Sequence, residues 1–203
     1  MVAVPKMLRL VLMLCLSIRG ASPAAEPTPR DVDLRIEATD LSGKVVRPFG
    51  GKDSNATVLF FLAHDCPVSN RLAPEMGRIA RDFAPKGVRC IVVYPDPDAL
   101  PEDLRLHGAE FGLGALRAFH DRTHTLVHAT GAATAPEAVV VTAAGHVVYR
   151  GRINNLYEAL DKPRTTVTRH DLRQALQAVL ANRAHDRPWP AAVGCPIVPL
   201  PNP

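Results

Sequence analysis

Phe60-Phe61-Leu62-Ala63-His64-Asp65-Cys66-Pro67-Val68-Ser69-Asn70 is the stretch on which the reading of this chain turns. An apolar, β-favouring run, Thr57 to Leu62, leads to a cysteine, and a long amphipathic pattern follows at once. That order predicts a buried strand delivering a thiol to the first turn of a helix. A helix N-terminus carries unpaired N–H groups and partial positive charge. A thiolate there is stabilised and its pKa falls, which makes Cys66 nucleophilic near neutral pH. Pro67 suits the first helical position, because its missing N–H costs nothing there. A buried cysteine can also be a small structural hydrophobe, but the strand–Cys–Pro–helix order favours a redox or ligand role.

Outward from this stretch, the pattern predicts alternating elements. Asp33 to Ala38 and Lys44 to Arg47 flank Leu41-Ser42-Gly43 as a β-hairpin. A loop, Phe49 to Ala56, precedes the central strand Thr57 to Leu62, and the first long helix runs from Pro67 to Phe83. Gly87 ends its turn, and Val88 to Tyr94 is a second buried strand, with Cys90 on its inner face. Pro101 opens a helix to about Phe111, with Glu102 and Asp103 in its first turn. Leu116 to His120 is a short strand, and Thr123 to Thr130 a helix stopped by Gly131. Glu137 to Thr142 and His146 to Arg150 form a hairpin around Ala143-Ala144-Gly145. Thr168 is the expected cap of a last helix, Arg169 to Ala181. Helices alternating with strands early, and a hairpin late, predict an α/β domain with a mixed sheet covered on both faces.

Cys66-Pro67-Val68-Ser69 resembles the Cys-x-x-Cys active site of thioredoxin-fold proteins with the second cysteine replaced by serine. Pro74 matches the proline that kinks the first active-site helix of thioredoxins. Thr134-Ala135-Pro136-Glu137 is similar to the cis-proline loop that faces the active-site cysteine. The strand–helix segment between them resembles the redoxin branch, which includes periplasmic thioredoxin-like proteins and alkyl hydroperoxide reductases (AhpC/TSA). The likeness spans residues 31–182 and implies a thioredoxin-like three-layer sandwich. It also implies thiol–disulfide exchange with protein or small-molecule thiols and disulfides, with no cofactor. Pro136, expected cis, and Ala135 would hold the backbone of a substrate. Those proteins usually keep a buried carboxylate on the central strand or the active-site helix; here the corresponding positions are Phe60 and Leu72.

Met1 to Ala25 reads as a signal peptide. Lys6 and Arg9 form its basic region, Leu8 to Leu16 a short apolar core, and Ser22-Pro23-Ala24 a small-residue cleavage site. Export to the periplasm or outside the cell is the expectation, with membrane association only if the leader stays uncleaved. The 203 residues suit one ordinary domain, and 47% hydrophobic residues suit a full core. The net charge of +4 comes mostly from the leader. Without Lys6, Arg9 and Arg19, 21 basic residues face 20 acidic ones, and no Lys/Arg cluster forms a nucleic-acid footprint.

Cys15 lies in the leader, so the mature chain keeps Cys66, Cys90 and Cys195. Export permits disulfides. Ser69 removes the usual resolving cysteine, and its hydroxyl is the expected hydrogen-bond donor to the thiolate. Cys195 sits in a proline-rich tail, residues 183–203, that reads as loose chain. It can pair with Cys66, anchor to Cys90, or stay unpaired or intermolecular. As the resolving thiol it would need residues Val193 to Ile197 to dock near Cys66.

His64, Asp65 and Glu137 are the candidates for proton transfer near the thiol. His124 and His128 are one helical turn apart, but a metal needs a third converging ligand, and none is visible nearby. No metal site is expected. Two other readings stand beside thiol–disulfide exchange. One is a thiol peroxidase or antioxidant of the AhpC/TSA type, although the proline and threonine of the peroxiredoxin pattern Pro-x-x-x-Thr-x-x-Cys correspond here to Leu59 and Ala63. The other is a non-catalytic thioredoxin-fold module that holds a peptide or a metal.

Overall fold

The computed structural model describes residues 31–50, 54–185 and 188–200. The expected leader, Met1 to Ala25, with Cys15, lies outside the described residues, as does the linker that follows it.

The chain opens with a minimal hairpin, β1 (Ala38–Thr39) against β2 (Val45–Val46), shorter than the pattern suggested. Asp40 holds its turn by accepting from the N–H groups of Ser42 and Lys44. Next come β3 (Ala56–Phe61), α1 (Pro67–Phe83), a 3-10 turn at Ala84–Lys86 and β4 (Val88–Tyr94). Gly87 takes a left-handed φ of 73° to reverse the chain into β4. Then follow α2 (Pro101–Glu110), β5 (Arg117–His120), α3 (Thr125–Thr130), β6 (Thr134–Ala135), β7 (Glu137–Thr142) and β8 (Val147–Gly151). The last elements are β9 (Tyr157–Ala159), β10 (Lys162–Pro163), α4 (Asp171–Leu180) and β11 (Cys195–Pro196).

Five strands make the main sheet in the order β5-β4-β3-β7-β8. β3, β4 and β5 run parallel, and β7 and β8 add antiparallel pairs. All six residues of β3 are buried, because both faces of this central strand are covered. Val58 and Phe60 pack with Leu72, Met76 and Ile79 of α1 and Leu172 and Leu176 of α4. Leu59 and Phe61 pack on the opposite face with Phe119, Leu126 and Val127. The result is three layers with helices on both sides of a mixed sheet, as the resemblance implied.

Two expectations fail locally. Thr168 does not cap the last helix. It is bound to Asn155, whose Oδ1 accepts from the Thr168 and Arg169 N–H groups and whose Nδ2 donates to Thr168 Oγ1. The helix starts later, after His170, with Asp171 in its first turn tied to Arg152 Nε at 2.8 Å. The second failure is the tail. Residues 188–197 are not loose chain: they run along the domain and end in β11, which pairs antiparallel with β6.

Candidate active site

Cys66 is the N-cap of α1, in extended backbone conformation, with Pro67 at the first helical position. The thiol is 1% exposed. As a neutral group the sulfur is a weak acceptor, and no capping hydrogen bond forms. Its thiol donates instead to the Ala135 carbonyl at 3.5 Å. Ionised, the same sulfur faces a ring of donors. Burial pushes the Cys66 pKa up, but the Cys195 thiol and the N–H groups of Ser69, Cys195 and Val68 outweigh it, so the net shift is downward. Cys195 shows the reverse. Burial, the hydrogen bond to Cys66 and the charge of Cys66 push it up to about 11, with Asp65 adding to the rise. Of the two thiols, Cys66 is therefore the more readily ionised and Cys195 the one that holds its proton longer.

The opposite wall is the loop before β7. Ala135–Pro136 is cis, and β11 lies on the two residues before that proline, with Cys195 opposite Ala135 and Pro196 opposite Thr134. The Ile197 N–H donates to the Ala133 carbonyl at 2.9 Å. Cys66, Ala135, Pro136 and Cys195 therefore meet at one place.

Other expected residues fall differently. Ser69 is fully buried, but its hydroxyl accepts from the Ala63 N–H at 3.4 Å, and it is the Ser69 N–H that reaches the sulfur of Cys66. Glu137 is next to Pro136 in sequence yet shares its sheet face with Val139 and Val141, while Cys66 packs with Ala138 and Val140 on the other. Its carboxylate accepts from the Ala133 N–H at 2.8 Å, which braces the cis-proline loop from behind, and burial raises its pKa. His64 Nδ1 lies 4.0 Å from Asp96 Oδ2. Asp65 is exposed and lies toward Cys195. None of these three is among the principal groups that set the pKa of Cys66. Cys90 lies in the core, and burial pushes its thiol up to about 12, so it is inert at neutral pH. Leu59, at the peroxiredoxin proline position, faces the second cluster, away from Cys66.

His124, one of the pair singled out by spacing, ties down a turn together with His120. His120 Nε2 and His124 Nε2 each lie 2.8 Å from a carbonyl of the 95–96 turn. The described residues contain no group of three or more His, Cys, Asp or Glu placed to hold a metal.

Two features escaped sequence reasoning. Gly194 lies so close to the cis-proline loop that a Cβ would fall on the Ala135 carbonyl and 2.7 Å from Pro136 Cδ. Its only signal was a glycine beside the tail cysteine. The other is a buried chain from α1 into the core. His107 Nε2 is 2.8 Å from Asn70 Oδ1, and its Nδ1 is 2.8 Å from the Tyr94 hydroxyl. Asn70 follows Cys66 by one helical turn, and its N–H donates to the Cys66 carbonyl. The chain thus holds the start of α1 against α2 and β4.

No family model matches the chain, and no curated protein does. Among solved structures, an uncharacterized conserved protein from Geobacillus kaustophilus is 26% identical, with a TM-score of 0.71 over 85% of this chain and 94% of its own. A secreted Mycobacterium tuberculosis disulfide oxidoreductase homologous to E. coli DsbE is 19% identical, with a TM-score of 0.52 over 71% of this chain and 96% of its own. An uncharacterized thioredoxin-like protein from Porphyromonas gingivalis is 16% identical, with a TM-score of 0.55 over 74% of this chain and 92% of its own. The fold is thioredoxin-like.

Proposed function

We propose that the protein is an exported thiol–disulfide oxidoreductase in which Cys66 is the nucleophile and Cys195 the resolving thiol. The observation that supports this reading is the pairing of Cys195 with Ala135, whose carbonyl accepts from the Cys66 thiol, so that the two cysteines are neighbours. In the first step the Cys66 thiolate attacks one sulfur of a substrate disulfide. The substrate S–S bond breaks, a Cys66 mixed disulfide forms, and the released sulfur leaves as a thiolate that takes a proton from solvent.

The negative charge that helped hold the proton on Cys195 is then gone, and the Cys195 pKa falls toward its ordinary value. Cys195 loses its proton and attacks the Cys66 sulfur. A Cys66–Cys195 disulfide forms, and the second substrate sulfur leaves as a thiol. Two electrons have passed from the protein to the substrate, and the reverse sequence oxidises a dithiol.

Export rests on the reading of Met1 to Ala25 and accords with the secreted M. tuberculosis neighbour. Protein or small-molecule disulfides are the proposed partners. The test is single-turnover reaction of the reduced, mature protein with glutathione disulfide or an oxidised peptide, followed by mapping of the linked cysteines. The expected product is a Cys66–Cys195 disulfide. A stable Cys66 mixed disulfide, with Cys195 free, would remove Cys195 from the mechanism.

A further inference from the structure

The tail is built to lie where it does. Trp189 packs against both core clusters. The Pro190 carbonyl accepts from the Arg152 N–H at 3.1 Å, and a Cβ on Gly151 would fall on that carbonyl. Val193 lines a small crevice together with Leu72, Pro136, Ile153 and Tyr157. Gly194 clears the Ala135 carbonyl, Cys195 and Pro196 pair with Ala135 and Thr134, and the Ile197 N–H reaches Ala133. Two glycines, one on each partner, thus allow backbone-to-backbone approach at both ends.

The hold is nonetheless slight. β11 is two residues long, and the tail from Trp189 to Leu200 is half-buried or exposed, while Cys66 beneath it is 1% exposed. An extended polypeptide cannot pair with the β6 edge while β11 occupies it, nor can a bulky disulfide reach the thiol. Yet Cys195 must be on that edge to resolve a mixed disulfide.

We propose that residues 189–197 are a redox-latched strap that closes the Cys66 site. The proposal rests on the reading of Cys66 as the nucleophile. In the dithiol form the strap is held by a two-residue ladder and neighbouring hydrogen bonds, and it lifts to admit a polypeptide disulfide to the β6 edge. Cys66 attacks, and the strap then returns to compete for the same edge. Its docking brings Cys195 to the Cys66 sulfur and displaces the product strand, so resolution and product release are one motion. The resulting Cys66–Cys195 disulfide bolts the strap down and bars a second substrate until an external dithiol reduces it.

Two measurements test the strap. The first compares amide hydrogen exchange in the reduced and oxidised wild-type protein. Exchange at Ile197 is expected to be at least about tenfold faster when reduced, because only non-covalent contacts then hold the ladder. Equal protection in the two states would overturn the latch. The second compares the reduced wild type with Gly194→Ala, whose Cβ excludes the docked position. Labelling of Cys66 by a bulky maleimide, taken relative to iodoacetamide, is expected to rise about tenfold as the ladder hydrogen bonds are lost. An unchanged ratio would overturn the strap. If the labelling ratio rises in Gly194→Ala but Cys66 exchanges with no disulfide, the redox function falls and the latch with it, while the strap stands as a cover over Cys66. If Cys66 exchanges with disulfides at equal rates in both proteins and the labelling ratio is unchanged, the strap falls and the redox function stands.

Discussion

Cys195 pairs with Ala135, the residue whose carbonyl accepts from the Cys66 thiol, and its thiol and backbone N–H are among the groups that lower the pKa of Cys66. One tail residue is thus part of the thiolate's stabilising shell as well as the candidate second thiol. The helix start supplies the rest through the N–H groups of Val68 and Ser69.

Cys195→Ala is therefore expected to make Cys66 less reactive toward alkylation at neutral pH. A hydrogen bond to a charged sulfur contributes about 1.5–3 kcal/mol, enough to lower the alkylation rate at pH 7 by about tenfold. The rate of iodoacetamide reaction as a function of pH, read by mass spectrometry of the Cys66 peptide, checks this. A midpoint unmoved by the substitution would leave the backbone N–H groups of Val68, Ser69 and residue 195 as the cause of the lowered pKa.

The buried thiol of Cys90 carries a pH prediction of its own. Burial raises it to about 12. In the unfolded chain a thiol ionises near 9, so above that pH the unfolded state binds fewer protons than the folded state. Stability is fully present below pH 9 and is lost as pH rises toward 12, by up to about 1.4 kcal/mol per pH unit for this group. The buried phenols of Tyr94 and Tyr149, also raised by burial, add loss of the same sign at higher pH. Urea denaturation of the reduced protein at pH 8, 9.5 and 11 should show the decline. Cys90→Ala should start less stable but fall less steeply.

His107 works in the acid direction. Burial, then the neighbouring charge of His64, lowers its pKa. The neutral ring fits its two partners in one way: Nε2–H donates to Asn70 Oδ1, and Nδ1 accepts from the Tyr94 hydroxyl. This tautomer is assigned from the network. Because the folded state favours the neutral form, stability is fully present above the unfolded value near 6.5 and is lost as pH falls below it. His107→Phe leaves the Tyr94 and Asn70 groups without that partner and should cost about 1–3 kcal/mol at pH 7. Its stability should also fall less than that of the wild type between pH 7 and 5. A parallel fall in both proteins would assign the acid loss elsewhere.

The local chemistry of the sequence carried the central elements. Pro67 and the apolar spacing of Val68, Leu72, Met76, Ile79 and Phe83 define α1 at the expected bounds, and the apolar runs of β4 and β7 match theirs. Where longer-range partners decide, the sequence was silent. Thr168 looked like a helix cap, but Asn155, on a distant turn, claims it. Glu137 looked close to the thiol because it follows Pro136, yet the two-residue period of a strand sends its carboxylate to the far face. The tail had no apolar period to read. Its place is set by backbone pairing and by a missing Cβ at Gly194, neither of which composition displays.

Ser69 stands where a Cys-x-x-Cys site would carry its second thiol. Residue 69 sits in the first turn of α1, three positions after Cys66, and its N–H is among the groups that lower the Cys66 pKa, although its hydroxyl is turned to Ala63. A serine oxygen cannot displace a thiol from a mixed disulfide, so Cys195→Ser should stop the wild-type cycle after the first step. The Cys66 mixed disulfide should then accumulate to about one per chain with glutathione disulfide, and multiple turnover with a dithiol reductant should drop by about a hundredfold or more, the scale set by losing an intramolecular nucleophile. Restoring a thiol one helical turn along, as Ser69→Cys in the Cys195→Ser background, should recover product release. The disulfide should now map between positions 66 and 69. Ser69→Cys alone should divide its disulfide between positions 69 and 195, since both would compete for the same sulfur. If Cys195→Ser turns over at the wild-type rate, an external thiol resolves Cys66. The tail cysteine would then serve only to stabilise the thiolate.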